Sequence, residues 1–208
     1  VWIDAFLKSV RVGLLVGVVA TLSGLALARA GTRTRSEAMR LVIQVVAIAP
    51  LIVPVVLLGI GVYDVQGQMG LLGTDLGLVI AHAVLCLPLT FLVLANGLSA
   101  IDTSIEQAAW TMGAGPIRTF FTVVVPNLMP ALIGAMVISF VTSWDEAVLS
   151  MFQTGLDKTL PVTIYSHLKS GITPAVSAVA TIVSVPVIIG SLVAGIIAFR
   201  RSKASEVN

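Results

Sequence analysis

Apolar residues run along this chain in long blocks, separated by short stretches that are polar or carry glycine and proline. A helix needs about 20 apolar residues to cross a bilayer, and five blocks approach or exceed that length: about 10–28, 41–62, 76–98, 128–144 and 176–199. The chain opens with an amphipathic approach, Val1 to Lys8, whose Trp2 and Phe6 suit a membrane interface. In the first block Gly13 and Gly17 are spaced for close helix contact, although glycine is also simply frequent in membrane helices. Pro50 and Pro54 interrupt the second block, which predicts a kinked span. Such a kink either lines a path or is only structural.

The connections between blocks set the orientation. Arg29, Arg33, Arg35 and Arg40 are opposed only by Glu37, which places the first connection inside. A basic run can also bind nucleic acid or anionic lipid, but a position between two spans favours the topological reading. Tyr63 to Asp75 carries Asp64 and Asp75 with no Lys or Arg and is placed outside. An external loop, about 145–175, contains short helices and the polar points Lys158 and His167 to Ser170. Arg200, Arg201 and Lys203 close the last span, which contains Pro186. With Arg118, this topology puts eight of the 12 basic residues inside, leaving Lys8, Arg11, Lys158 and Lys169 outside.

The third connection, about 99–127, is a polar-flanked island in an apolar sequence. Asp102 or Thr103 can cap a short helix, with Glu106 in its opening turn favouring the helix dipole. Gly113 and Gly115 supply a stop, and Pro116 suits the first turn of a second helix. The result is a compact helix-turn-helix between two spans. Ala108, Ala109, Gly113 and Ala114 are small enough for another protein to approach closely.

Composition agrees with the pattern. Hydrophobic residues make up 57% of the chain and charged residues 11%, against roughly 25% charged in soluble domains. The chain is therefore an all-α integral membrane protein with five predicted spans. No basic, aromatic-interleaved stripe marks it as a nucleic-acid binder. The single cysteine, Cys86, excludes an internal disulfide. There is no Gly-x-x-x-x-Gly-Lys-Ser/Thr loop, no His-Glu-x-x-His and no Gly-x-Ser-x-Gly, so the sequence points away from an enzyme and away from ATP hydrolysis by this chain.

Polar residues within the apolar blocks are functional candidates. His82 and Asn96 lie in or near the third block, where a neutral His paired with a neighbouring carbonyl is an equal reading. No second His, Cys or carboxylate stands at ligand spacing, so no metal site is expected. Trp144, Asp145 and Glu146 form the second informative stretch. Burying carboxylates costs several kcal/mol each unless they are compensated, and Lys158 is the nearest basic residue in sequence. A cationic or amine-bearing substrate would supply the missing charge, with Trp144 offering a cation–π face. Alternatively the pair is hydrated at the outer interface, with Trp144 as a belt anchor.

The island also carries a family resemblance. Gln107-Ala108-Ala109, then Gly113, then Val125-Pro126 is similar to the Glu-Ala-Ala, Gly, Leu-Pro pattern of permease subunits of binding-protein-dependent ABC importers. Gln107 stands where Glu is usual, with Glu106 one residue earlier, and Val125 replaces Leu. The resemblance implies a type I ABC importer permease fold, a single permease domain over 1–208, and a multi-pass location in the bacterial inner membrane. One further helix is expected to precede Val1, making six spans in the intact subunit. The coupling residues implied are Glu106, Gln107, Ala108, Ala109, Gly113 and Pro126.

The same resemblance implies the partners and the cargo. The partners are two ATPase subunits that hold ATP and Mg, a second permease (homologous or identical), and an extracytoplasmic binding protein. This chain itself would bind no cofactor. Ser139-Phe140 through Ser143-Trp144-Asp145-Glu146, then Phe152, Thr154-Gly155, Thr159-Leu160-Pro161, Ile164-Tyr165-Ser166 and Gly171-Ile172-Thr173-Pro174, resembles the polyamine branch. That branch implies a role for Asp145 and Glu146, with Trp144 as companion, in handling putrescine or spermidine. Permeases for amino-acid derivatives, other organic amines and ferric iron share much of the pattern. A passive channel or structural subunit would keep the spans but have no use for the coupling loop.

Overall fold

The computed structural model describes residues 1–170 and a few positions between 178 and 196. The expected last span, as a continuous element, lies outside the described residues. All described elements are helical. The first, α1 (Trp2–Arg33), carries a stripe of small buried residues: Ala5, Ser9, Gly13, Gly17, Ala20, Thr21, Gly24 and Ala28, with Val12 and Val16 among them. Their spacing of three and four keeps them on one face. Small side chains let neighbouring backbones come close, and α1 packs along both α4 (Asp75–Ser99) and α7 (Val125–Asp145).

Gly13 and Gly17 are contact residues, as their spacing predicts. A Cβ on Gly13 would lie 2.9 Å from the Phe140 ring, and one on Gly17 3.2 Å from Met136. The tightest approach on α1 is at Gly24, where a Cβ would lie 2.4 Å from Thr90 Oγ1 and 3.0 Å from the Phe91 nitrogen. The Thr90 hydroxyl lies 3.0 Å from the Ala20 carbonyl and 2.9 Å from the Leu87 carbonyl of its own helix, so moving it away gives up the contact between the two helices. Gly24→Ala is therefore expected to destabilise the bundle by about 1–3 kcal/mol through overpacking. Thermal unfolding of the purified subunit checks this, and an unchanged midpoint rejects it.

The second expected span is not a kinked helix. The chain forms α2 (Glu37–Ile52) and α3 (Val55–Gln68), which meet at 109°. The cause is local. A residue before proline is driven out of the helical region, and Val53, before Pro54, is extended at φ −78, ψ 127. Pro50, by contrast, stays inside α2. The first basic connection is also shorter than expected, because α1 continues through Arg29 to Arg33 and Arg40 lies in α2. Likewise α3 extends into the stretch from Tyr63 that reads as loop.

Among the described residues, three helices are long and apolar enough to cross a membrane, or four if α2 and α3 together form one span. These three are Trp2–Arg33, Asp75–Ser99 and the continuous run Pro116–Asp145. That run contains α6 (Pro116–Thr119), a π-helical turn (Phe120–Val124) and α7. The helix that carries the fourth expected span thus begins a dozen residues before the apolar block at Leu128. Pro126 has no N–H to continue the α-helical ladder. The wider turn precedes it, and the Val125 N–H bonds to the Phe120 carbonyl. Two short helices complete the described fold, α5 (Thr103–Thr111) and α8 (Val148–Gln153), together with α9 (Leu160–Ser170).

Candidate functional site

The polar island folds as its sequence predicts at its start and turn. Asp102 caps α5: its carboxylate accepts from the Ser104 N–H at 2.8 Å, and this bond holds its pKa below the ordinary value. After α5 the chain turns at Gly113, whose φ is +84. Pro116 then opens α6. Gln107, Ala108 and Gly113 are exposed, as is Pro126 at the start of α7, whereas Ala109 is buried inside the chain and Ala114 half-buried.

Glu106 faces inward, which the sequence did not reveal. Its side chain is 9% exposed and meets two arginines of α1. Arg29 forms a two-pronged pair with it, Nη1 to Oε1 at 3.1 Å and Nη2 to Oε2 at 2.8 Å. Arg33 donates to the same Oε2. The Arg29 guanidinium also lies 5.4 Å from the Phe120 ring centroid, and that of Arg33 5.4 Å from the Trp110 ring. Arg29 and Arg33 are one turn apart, as are Glu106 and Trp110, so both pairs face each other across two helices. The sequence shows these arginines only as part of a basic loop. The signal that could have found the pairing is this matched spacing.

The Arg29 hydrogen bond is the main reason that the Glu106 carboxyl titrates below its ordinary value of 4.5; partial burial opposes it, and the charges of Arg29 and Arg33 add to it. A carboxyl lowered in the folded state stabilises the fold above its unfolded pKa and loses that contribution as pH falls through the folded value. The unfolding midpoint of the purified subunit is therefore expected to drop as the pH is taken below 4.5. Glu106→Gln should flatten that acid limb. The same limb in both proteins rejects the assignment.

The acidic pair lies at the opposite end of α7. Asp145 is the last residue of α7 and is exposed. Glu146 is extended, half-buried, and accepts the Leu149 N–H at 2.8 Å on Oε1, which helps start α8. Among the described residues neither carboxylate forms an ion pair. Lys158, the nearest base in sequence, donates to Ser166 at 3.3 Å instead.

Trp144 does not sit as a belt anchor or an open cation–π face. It is 8% exposed, stacked on Phe140 at 5.8 Å and met edge-on by Phe6 at 5.6 Å. Phe6 thereby contacts protein as well as the outside, and Trp2 packs on the His167 ring at 4.7 Å. The reason is that α1 starts at Trp2, so its first turns lie against α7 and α9.

His82 is fully buried between α4, α7 and α8, and pairs with two hydroxyls instead of a carbonyl. Its Nδ1 meets Ser143 Oγ at 2.8 Å and its Nε2 meets Ser150 Oγ at 2.9 Å. The Ser150 hydroxyl already donates to the Glu146 carbonyl, so the hydrogen-bond logic assigns the proton to Nε2 and makes Ser143 donate to Nδ1. This cluster pins the break between α7 and α8, and hence the place of the acidic pair. Asn96 is exposed near the end of α4. No group of three metal-ligating side chains occurs among the described residues.

Several membrane-length apolar helices, with a short capped helix folded across one end of the bundle, define a multi-pass membrane protein. The chain belongs to the family described as "Binding-protein-dependent transport system inner membrane component", whose pattern matches residues 13–203. It is 28% identical over 195 residues to the putrescine transport system permease protein PotI of Escherichia coli (strain K12), spanning 86% of this chain and 68% of that protein. It is 31% identical over 190 residues to the spermidine/putrescine transport system permease protein PotC of Haemophilus influenzae, spanning 88% and 71%. It is also 27% identical over 196 residues to the trehalose transport system permease protein SugB of Mycobacterium tuberculosis, spanning 91% and 71%. Among solved structures, inward-facing MetNI, a methionine ABC transporter, aligns with TM-score 0.75 at 17% identity, covering 98% of this chain and 95% of that one.

The chain is thus a permease subunit of an ABC importer and not an enzyme. Permeases of this kind work with separate ATPase subunits and a binding protein.

Proposed function

We propose that this permease moves a small cationic, amine-bearing solute such as putrescine or spermidine into the cytoplasm by alternating access. The observation that carries the substrate class is the pair Asp145 and Glu146, which has no cationic partner among the described residues. Asp145 is exposed at the end of α7, and the cargo itself would supply the missing charge. The similarity to putrescine and spermidine permeases supports the same reading. The similarity to a trehalose permease favours a second reading, a neutral sugar, for which the carboxylates would serve only as hydrogen-bond acceptors.

In the full assembly a second permease, homologous or identical, completes the path. Two ATPase subunits, which hold the ATP and Mg, dock on the exposed face of α5 and its Gly113 turn. An extracytoplasmic binding protein delivers the solute at the other end. Arg29, Arg33, Arg35, Arg40 and Arg118 put the α5 end in the cytoplasm by the positive-inside rule.

The test is reconstitution of the permeases, ATPase and binding protein in liposomes. Uptake of radiolabelled putrescine, spermidine and trehalose is measured with and without ATP inside. ATP-dependent uptake of the amines, and not of trehalose, is expected. Uptake of trehalose alone would replace the amine reading with the sugar reading. Solute flux that ignores ATP would instead indicate a passive channel.

A further inference from the structure

A coupling helix transmits motion only if it is stiffly joined to the part that must move. In this fold α5 is joined along the chain by two turns. One, Ala100 to Asp102, follows α4, and the other, Met112 to Gly115, contains Gly113 with its left-handed backbone. Both are places where a short helix can swivel, so a push on α5 could be absorbed locally. The side chains supply a lateral connection. Arg29 and Arg33 at the end of α1 grip Glu106, and Arg33 covers Trp110. Arg29 also covers Phe120 in the π-helical turn that leads into α7.

Two arginines of α1 therefore meet on a single carboxylate, and each lies over a ring, Arg29 over Phe120 and Arg33 over Trp110. Glu106 is shielded from water, and its pairing is two-pronged, which fixes direction as well as distance. Shielding also limits how far salt weakens it. The helix gripped in this way, α1, is the one whose small-residue stripe packs along both α4 and α7. A displacement that reaches α1 is passed to two other long helices over much of their length.

We propose that Arg29 and Arg33 are positioning residues that lock the coupling helix α5 to the end of α1, so that α1 carries the displacement of α5 into the bundle. This rests on the importer reading above. It assigns a role to two arginines that the positive-inside rule accounts for only as topology signals. It also separates two functions within one short helix: Gln107 and Ala108 face outward to the ATPase, and Glu106 faces inward to the strut.

The experiment uses the complete reconstituted transporter, with Cys86→Ala and spin labels on cysteines placed at Thr32 and Ser104, both exposed. The distance between the labels is measured by electron paramagnetic resonance with and without ATP, beside solute moved per ATP hydrolysed. With the strut intact, the α1–α5 distance should be the same in both nucleotide states. In Arg29→Ala/Arg33→Ala it should broaden and change with ATP. Solute moved per ATP should fall about fivefold or more, a typical size for a coupling between sites, while ATP hydrolysis persists.

A milder variant, Glu106→Gln, removes the charge at nearly constant shape and should shift both readouts in the same direction; it serves if the double variant does not assemble. An α1–α5 distance that changes with ATP while the strut is intact overturns the proposal. So does an unchanged amount of solute per ATP in the variants. Absence of any ATP-driven uptake with the unaltered chain is a different result: it overturns the importer reading beneath the proposal.

Discussion

Gly113→Asp is expected to lower ATP-driven uptake by at least about tenfold, which corresponds to roughly 1.4 kcal/mol of lost coupling, with the protein still present in the membrane. The structure refines the reason. A Cβ at Gly113 would meet nothing within 4 Å, so no collision inside the chain opposes the side chain. The restriction is the backbone, whose φ of +84 lies in the left-handed region. There most L-residues cost about 1–2 kcal/mol, with Asp towards the low end, which loosens the end of α5. The same exposed position lies on the face that the ATPase would cover, where a new charge would be desolvated. Uptake into liposomes, beside the amount of subunit recovered from the membrane, reads both effects. Full uptake by Gly113→Asp would falsify the coupling role of this turn.

Asp145→Asn is expected to raise the KM for a cationic solute about tenfold, the effect of losing about 1.4 kcal/mol of charge pairing, with little change for a neutral one. The geometry distinguishes it from its neighbour. Asp145 is exposed and unpaired among the described residues, so its neutralisation should spare the fold. Glu146 caps the Leu149 N–H. An amide oxygen in Glu146→Gln can still accept that bond, so this variant isolates charge, whereas Glu146→Ala also frees the start of α8. Losing a helix cap of this kind costs about 1 kcal/mol. Concentration-dependent uptake by the single variants checks the assignment. Equal KM values for Asp145→Asn and the unaltered protein would return the pair to a hydrated interface with no contact to cargo.

The features that the sequence showed well are those set by neighbours along the chain. The third span needs only a continuous apolar block, and α4 runs from Asp75 to Ser99 against an expected 76–98. Asp102 as a cap and Pro116 as a first-turn residue follow from local backbone chemistry. Other features depended on a local balance that the sequence leaves open. Pro50 and Pro54 lie four residues apart, yet the first is absorbed in a helix and the second marks a 109° turn. The extension of α1 to Trp2 depends on packing against α7 and α9, and turns two apparent interface aromatics into contacts within the protein.

By itself, then, the sequence determined the membrane class, the helical content, the capped helix before Gly113 and the family, because apolar run length, capping and turn chemistry act over a few residues. The tertiary structure decided which way each polar side chain faces. Glu106 could cap, dock or pair, and only the approach of α1 brings Arg29 and Arg33 onto it across more than seventy residues of chain. His82 finds Ser143 and Ser150, and Trp144 finds Phe6, only when α1, α4, α7 and α8 come together. Helical period says that a residue faces inward, whereas the identity of its partner is set by the register of helices distant in sequence, which no local pattern encodes.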